Sequence, residues 1–356
     1  MMVNLKIAQN LTKKFILPLL IIFIVFFIAV IVFIVKTEQK KTALQVKTPE
    51  RDSTYQSKKI EVHFSGQEPE IPSDLIFYST AKDIVTEEEA RQLALKLGLN
   101  VDPKKAAGGF REPLLVFNLQ NKRLKVNTQT RRLNFDEIPK NYNPQALKTV
   151  NFEDKKDLAV NTLLSLNSIS ENTDTTNPLV YFGFFQNGEI TEKESGIVQN
   201  IEKVIYVRFV FEDYINSYPI LGFSPSLTGT STTLLTENDT VISISAPFNV
   251  KPFIQIDENK TKPITTALKE TEEGKGFIFR LDSLDNPVDY SQPNIHVKNL
   301  EPPSPIKMID FTNISLAYVY PFVPGDPLIP NYVMVGETKL ENGTRWKITI
   351  LNPAIK

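Results

Sequence analysis

Two histidines, no cysteine and a few clusters of acids and hydroxyls make up the reactive chemistry of this chain. The lack of Cys removes disulfides, thiolate metal sites and cysteine nucleophiles together. His63 lies in a polar segment and His296 in a proline-flanked loop, and both read as surface residues rather than as catalysts or ligands. Ser304-Pro305-Ile306-Lys307 has the Ser-x-x-Lys spacing of penicillin-binding enzymes, which need a helical turn to bring hydroxyl and amine onto one face; the flanking prolines deny that turn. Asp282, Asp285 and Asp289 could offer oxygens to calcium, but their spacing is not that of an EF-hand, and Asp-Asn-Pro is ordinary turn chemistry. Ser226 to Ser231 matches a phosphate cradle in composition only. With no helix start after it, it reads as a hairpin tip. Gly-x-Ser-x-Gly, His-Glu-x-x-His and Walker-type patterns are absent. The sequence therefore assigns no catalytic, cofactor-binding or metal-ligating residue, and the expectation is a protein that is not an enzyme and carries no cofactor.

Softer signals remain. Asn238, Asn259, Asn313 and Asn342 each begin an Asn-x-Ser/Thr acceptor, relevant only in a host that glycosylates such sites. Aromatic-rich stretches around Tyr206, Phe209 and Phe211, and around Tyr318, Tyr320 and Phe322, have the composition of a peptide or glycan groove, although such residues more often build a core.

The segment that positions everything else is Phe15 to Val35, FILPLLIIFIVFFIAVIVFIV, bounded by Lys13 and Lys14 before it and Lys36 after it. At about 1.5 Å of rise per residue it spans the roughly 30 Å hydrocarbon core of a bilayer as one helix. It is longer than the apolar part of a cleaved signal peptide, and no Ala-x-Ala site follows it. Lysines flank both sides (Lys6, Lys13, Lys14; Lys36, Lys40, Lys41, Lys47), so charge bias does not orient it. Its place near the N-terminus does: residues 1–14 are expected in the cytoplasm and the bulk of the chain outside. The lipid bilayer, through residues 15–35, is thus the first expected partner. With net charge −1 there is no case for nucleic acid. The remaining length suffices for two or three cored domains, and the missing cysteines lean towards a bacterial surface.

Residues 36–70 are polar and short of large apolar side chains, and read as a flexible stalk with a short strand at Ile60 to Phe64. Thr86-Glu87-Glu88-Glu89 is a capping box, followed by Ala90, Leu93, Ala94 and Leu97 at helical spacing and closed by Gly98. Strands are expected at Leu114 to Leu119, Arg123 to Thr128 and Arg131 to Phe135. Asn151-Phe152-Glu153-Asp154 opens a second helix with Leu158, Thr162, Leu163 and Leu166 on one face, before strands at Leu179 to Phe185, Ile197 to Phe211 and Thr240 to Ala246. A third helix, Ile264 to Glu273, precedes strands at Phe277 to Leu281, Ser315 to Phe322, Tyr332 to Leu340 and Arg345 to Leu351. The last two are joined by a turn with Asn342 and Gly343 in the positive-φ positions. The expected fold class is α+β: one N-terminal transmembrane helix followed by tandem helix-plus-antiparallel-sheet units, 71–150, 151–262 and 263–356.

The TEEEARQLALKLGL helix before a hairpin resembles a PepSY-type unit. SYPILG and the ending LAYVYPFVPGDPLIPNYVMVGETKLENGTRWKITILNPAI resemble the extracytoplasmic part of YycH/YycI-type proteins. That resemblance implies a bacterial, membrane-anchored, non-enzymatic domain that binds a sensor histidine kinase and adjusts its activity. The leading expectation is therefore a regulatory module contacting an envelope protein. A structural or assembly factor of the envelope, or an enzyme acting on cell-wall material, are the alternatives.

Overall fold

The computed structural model describes residues 60–79, 84–107, 113–186, 189–199, 202–222, 229–284, 302–320 and 326–355. The expected helix at Phe15 to Val35 lies outside them, and among the described residues no helix is long and apolar enough to cross a membrane.

Along the chain come β1 (Glu61–Phe64), β2 (Asp74–Ser79), α1 (Glu87–Lys96), β3 (Lys104–Ala107), β4 (Pro113–Leu119), β5 (Lys122–Asn127), β6 (Arg132–Glu137) and β7 (Gln145–Ala146). Next are α2 (Phe152–Ser165), β8 (Leu179–Gln186), β9 (Glu189–Glu194), β10 (Lys203–Val204), β11 (Tyr206–Phe211), β12 (Asp213–Ile215), β13 (Tyr218–Leu221), β14 (Thr230–Leu235) and β15 (Val241–Pro247). The chain continues through β16 (Ile254–Lys260), α3 (Ile264–Glu272), β17 (Phe277–Ser283), β18 (Ile306–Val319), β19 (Pro327–Leu340) and β20 (Arg345–Pro353).

The three helices begin where the sequence places them. At α1 the Thr86 hydroxyl accepts from the Glu89 amide at 3.2 Å and the Glu89 carboxylate accepts from the Thr86 amide at 2.8 Å, a closed capping box. That bond holds the Glu89 carboxyl below its usual range. Gly98 follows at φ 77°, in the left-handed region. In α2 the buried face runs through Lys155, Ala159 and Leu163 rather than through Leu158 and Thr162. Lys155 goes inward because its ammonium finds the Leu235 carbonyl at 3.0 Å and the Asp239 carboxylate. At the last turn only Gly343 takes positive φ, 87°. Asn342 instead accepts from the Thr344 amide and hydroxyl through its side chain, which supplies the turn's bond without a left-handed residue.

The assembly departs from the expected α+β tandem. Strands hold 51% of the described residues and helices 15%, so the architecture is predominantly sheet. The strands do not stay within sequential units; they merge into two nine-stranded sheets and one small pair, β7 with β10. One large sheet is wholly antiparallel, ordered β3-β4-β5-β6-β15-β14-β11-β8-β9. Here the strands that follow α1 and those that follow α2 join along the β6–β15 ladder, Asn134 opposite Ser245. One continuous core covers one face of it, with Ala90, Leu93, Ala159 and Leu163 from the helices against Phe117, Leu124, Phe135, Phe209 and Ile244.

The other large sheet is built on the long β18–β19 hairpin. β1 and β13 pair in parallel with β18, near its start and its end, while β20 and β2 pair with β19. β17, β12 and β16 add at the outer edges. Gly336 permits the central crossing: a Cβ there would stand 2.1 Å from the Asp310 carbonyl. α3 packs Ala267 on this sheet beside Phe311, Tyr332, Met334 and Ile348. It is stapled by Lys262, whose Nζ reaches Glu270 Oε2 at 2.5 Å and Asn352 Oδ1 at 2.9 Å, while its carbonyl accepts from the Tyr332 hydroxyl.

Thr86→Ala is expected to cost about 1 kcal/mol and Lys262→Met about 2–3 kcal/mol, because the buried Asn352 and the Glu270 carboxylate lose their donor; urea unfolding of the two variants reads both.

Candidate functional site

β11 and β12 are one strand that crosses from the antiparallel sheet to the hairpin sheet, with Glu212 at the crossing, and the chain returns through β13. Asp213, the first residue across, is buried. The Thr173 hydroxyl donates to its Oδ1 at 2.6 Å. Arg132, on the face of the antiparallel sheet opposite the helices, extends towards Asp213 and the part-buried Tyr320. One Nη of Arg132 reaches the Gly229 carbonyl at 3.3 Å, while its Nε is enclosed without an acceptor among the described residues. Arg132 keeps some exposure as a residue, so the enclosure concerns the head group. Burial raises the Asp213 carboxyl, against the bond from Thr173 and the charge of Arg132. Burial likewise lowers Arg132 and raises Tyr320. This cluster is a polar lock where Asp213 of β12 and Tyr320, just past β18, meet Arg132 of the antiparallel sheet.

Farther along the same open face, Arg208 Nε lies 2.9 Å and one Nη 2.5 Å from the two oxygens of Glu192, a bidentate pair with side chains 16% and 6% exposed. The Arg208 guanidinium stacks over the Tyr181 ring at 4.6 Å. Tyr206 lies flat on Gly183, where a Cβ would sit 2.2 Å from the ring. Its hydroxyl is raised by burial and by the neighbouring Glu192. Phe185 is 49% exposed and meets Tyr142 edge-on at 6.0 Å. These residues pre-form an aromatic and charged patch; an open hollow of about 350 Å³ lies elsewhere, along α1 at Arg91, Leu95 and Asp102.

A third feature is an edge. β16 pairs with β2 on one side only. Its residues are exposed apart from Asn259; Ile254 is 68% and Ile256 44% exposed, and a bulge falls at Ile256.

The residues singled out by sequence do not converge. His63 sits on β1, exposed, its ring 3.0 Å from Glu61. His296, Asp285, Asp289, Phe322 and Ser226 to Thr228 lie outside the described residues. Asp282 is buried on β17, with Oδ2 2.6 Å from Arg280 Nε. Ser304 and Lys307 flank the start of β18, which is extended, not helical. Phe209 and Phe211 are core, and Tyr318 donates to the Ile76 carbonyl at 2.9 Å from a buried position. No group of three or more His, Asp or Glu that could hold a metal ion occurs among the described residues. Sequence reasoning missed Arg132, Asp213, Glu192 and β16. Only the aromatic-rich stretch around Tyr206 pointed to that part of the sheet.

No family model matches the chain, and no curated protein does. Among solved structures the chain is similar to an uncharacterized protein from Eubacterium rectale, at TM-score 0.42 and 10% identity over 83% of this chain and 88% of that one.

The raised Asp213 carboxyl means that the folded state takes up a proton more readily than the unfolded chain. This group's contribution to stability therefore grows as pH falls from neutral through the raised value to the ordinary 3.8, and is lost as pH rises. Asp213→Asn keeps an acceptor for Thr173 and removes the titration, so its unfolding free energy, measured by urea titration across that window, is expected to be flatter with pH than that of the native chain.

Proposed function

We propose that the chain is a non-enzymatic binding module, held at a membrane through Phe15 to Val35 with its bulk outside the cytoplasm, that regulates an envelope protein such as a sensor kinase. The observation that carries this reading is β16: a seven-residue edge strand with no strand beyond it among the described residues, its Glu258 amide held by the Asp257 carboxylate at 2.9 Å, and carrying two exposed isoleucines. Unpaired edge amides and carbonyls are a template for an extended segment of another protein. The bulge at Ile256 and the charges of Asp257 and Glu258 keep the edge from pairing indiscriminately, which leaves it to a partner shaped for it. The resemblance to YycH/YycI-type proteins supports the same class of partner. Catalysis is the weaker reading because the charged groups that cluster are taken up structurally: Arg208 pairs with Glu192, the Asp213 carboxylate accepts from Thr173, and Arg132 donates to the Gly229 carbonyl.

The test is photo-cross-linking in cells from a reactive residue placed at Ile254, in the full chain and in a copy whose residues 15–35 are replaced by an unrelated apolar stretch. One dominant membrane protein is expected from both, and Ile254→Lys with Ile256→Lys is expected to cut its yield about tenfold. Capture no greater than from a reactive residue at the exposed Gln129 would refute the reading.

A further inference from the structure

The open face of the antiparallel sheet carries a second, independent site. Cross-strand register fixes which side chains share a row there: Lys104, Val116, Lys125, Asn134, Ser245 and Ser231 stand opposite one another across β3, β4, β5, β6, β15 and β14. At roughly 4.8 Å per strand the row is about 24 Å long. It begins with cations, continues with an amide and hydroxyls, and contains no acid. The neighbouring row adds Asn118, Arg123, Asp136 and Ser243. Lys104, Arg123 and Lys125 form no ion pair among the described residues, in contrast to Lys122, which pairs with Glu137 on the other side of the sheet. The acid nearest them, Asp136, accepts from the Ser243 hydroxyl at 3.1 Å. Lys104, Arg123, Asn134 and Asp136 are exposed, and Lys125, Ser231, Ser243 and Ser245 are half-buried.

We propose that this face binds a linear polyanion bearing free hydroxyls, such as an acidic polysaccharide, laid across the strands along the Lys104–Ser231 row. The cations meet its carboxylates or phosphodiesters, and Asn134, Ser245 and Ser231 exchange hydrogen bonds with its hydroxyls. Three observations select this occupant. The row is long and narrow, which suits a chain rather than a small molecule. Its centre lacks the apolar anchors on which a protein interface relies. Its margin is closed at one side: the head group of Arg132, two residues along β6 from Asn134, is enclosed near Asp213 and Tyr320, which favours a slender chain over a flat bilayer.

The experiment places the full chain in neutral-lipid nanodiscs and measures its binding to polygalacturonate, poly-L-glutamate, dextran and phosphatidylglycerol vesicles by interferometry. Polygalacturonate is expected to bind about tenfold tighter than poly-L-glutamate or dextran, and to weaken with added salt. Lys104→Glu with Arg123→Glu is expected to lose about tenfold, as is the milder Lys104→Gln with Arg123→Gln, should reversal disturb folding. Asn134→Ala with Ser245→Ala should weaken polygalacturonate several-fold and leave poly-L-glutamate unchanged. Equal affinity for poly-L-glutamate, a preference for vesicles, or charge variants that bind like the native chain would each overturn the proposal. None of these outcomes bears on β16, which lies in the other sheet.

Discussion

The β18–β19 ladder is the constraint on which the hairpin sheet rests. Both outer edges of this one hairpin are used, that of β19 along most of its length and that of β18 near its two ends, by strands drawn from near residue 60, from the middle of the chain and from its end. Each of those strands is short, and its main-chain groups are satisfied against the hairpin on one side and, for β2, β13 and β20, against a further strand on the other. The requirement reaches single atoms: the crossing at Gly336 admits no side chain, and the core beneath it is filled by Phe311, Tyr332 and Met334. Pairings this distant in sequence must overcome loop-closure entropy before they return any stability, so the sheet forms as a unit or not at all.

The second sheet is joined to the first by a covalent device rather than by a broad apolar contact. The β11–β12 strand leaves one sheet and enters the other, and the Arg132, Asp213 and Thr173 cluster sits at the crossing. Burying charges there is costly, and the raised Asp213 carboxyl records that cost. In return Asp213 and Tyr320 close off the margin of the face at Arg132, leaving the rest to the Lys104 row and the Arg208–Glu192 patch. The same geometry gives each sheet a distinct exposed feature: a polar face on one and an unpaired edge on the other.

Local physics was legible in the sequence and non-local pairing was not. The capping box of α1, the glycine after it and the hairpin of β4 and β5 depend on neighbours within a few residues, and they stand where the residue pattern puts them. The α+β tandem failed because nothing in a local pattern says that β2 pairs with β16 and β19, or that strands following two different helices share one ladder at β6 and β15. β14 was hidden in a Ser- and Thr-rich stretch whose composition signals a loop. Its threonines lie at Thr230 and Thr232 in the core and at Thr233 on the open side, a division that only pairing reveals. The site features were invisible for the same reason: Arg132, Asp213 and Glu192 acquire their environments from residues far away in sequence.

Folding completes the hairpin sheet while leaving β16 without a strand along its outer edge among the described residues. Residue-resolved amide hydrogen exchange on the full chain tests it most directly. Slow exchange is expected along β18 and β19 and an alternating pattern in β16, with the amides facing β2 protected and those facing away, apart from Glu258 held by Asp257, exchanging at rates close to those of exposed turns. Uniform protection along β16 would contradict it, because some part of the chain would then already occupy the edge.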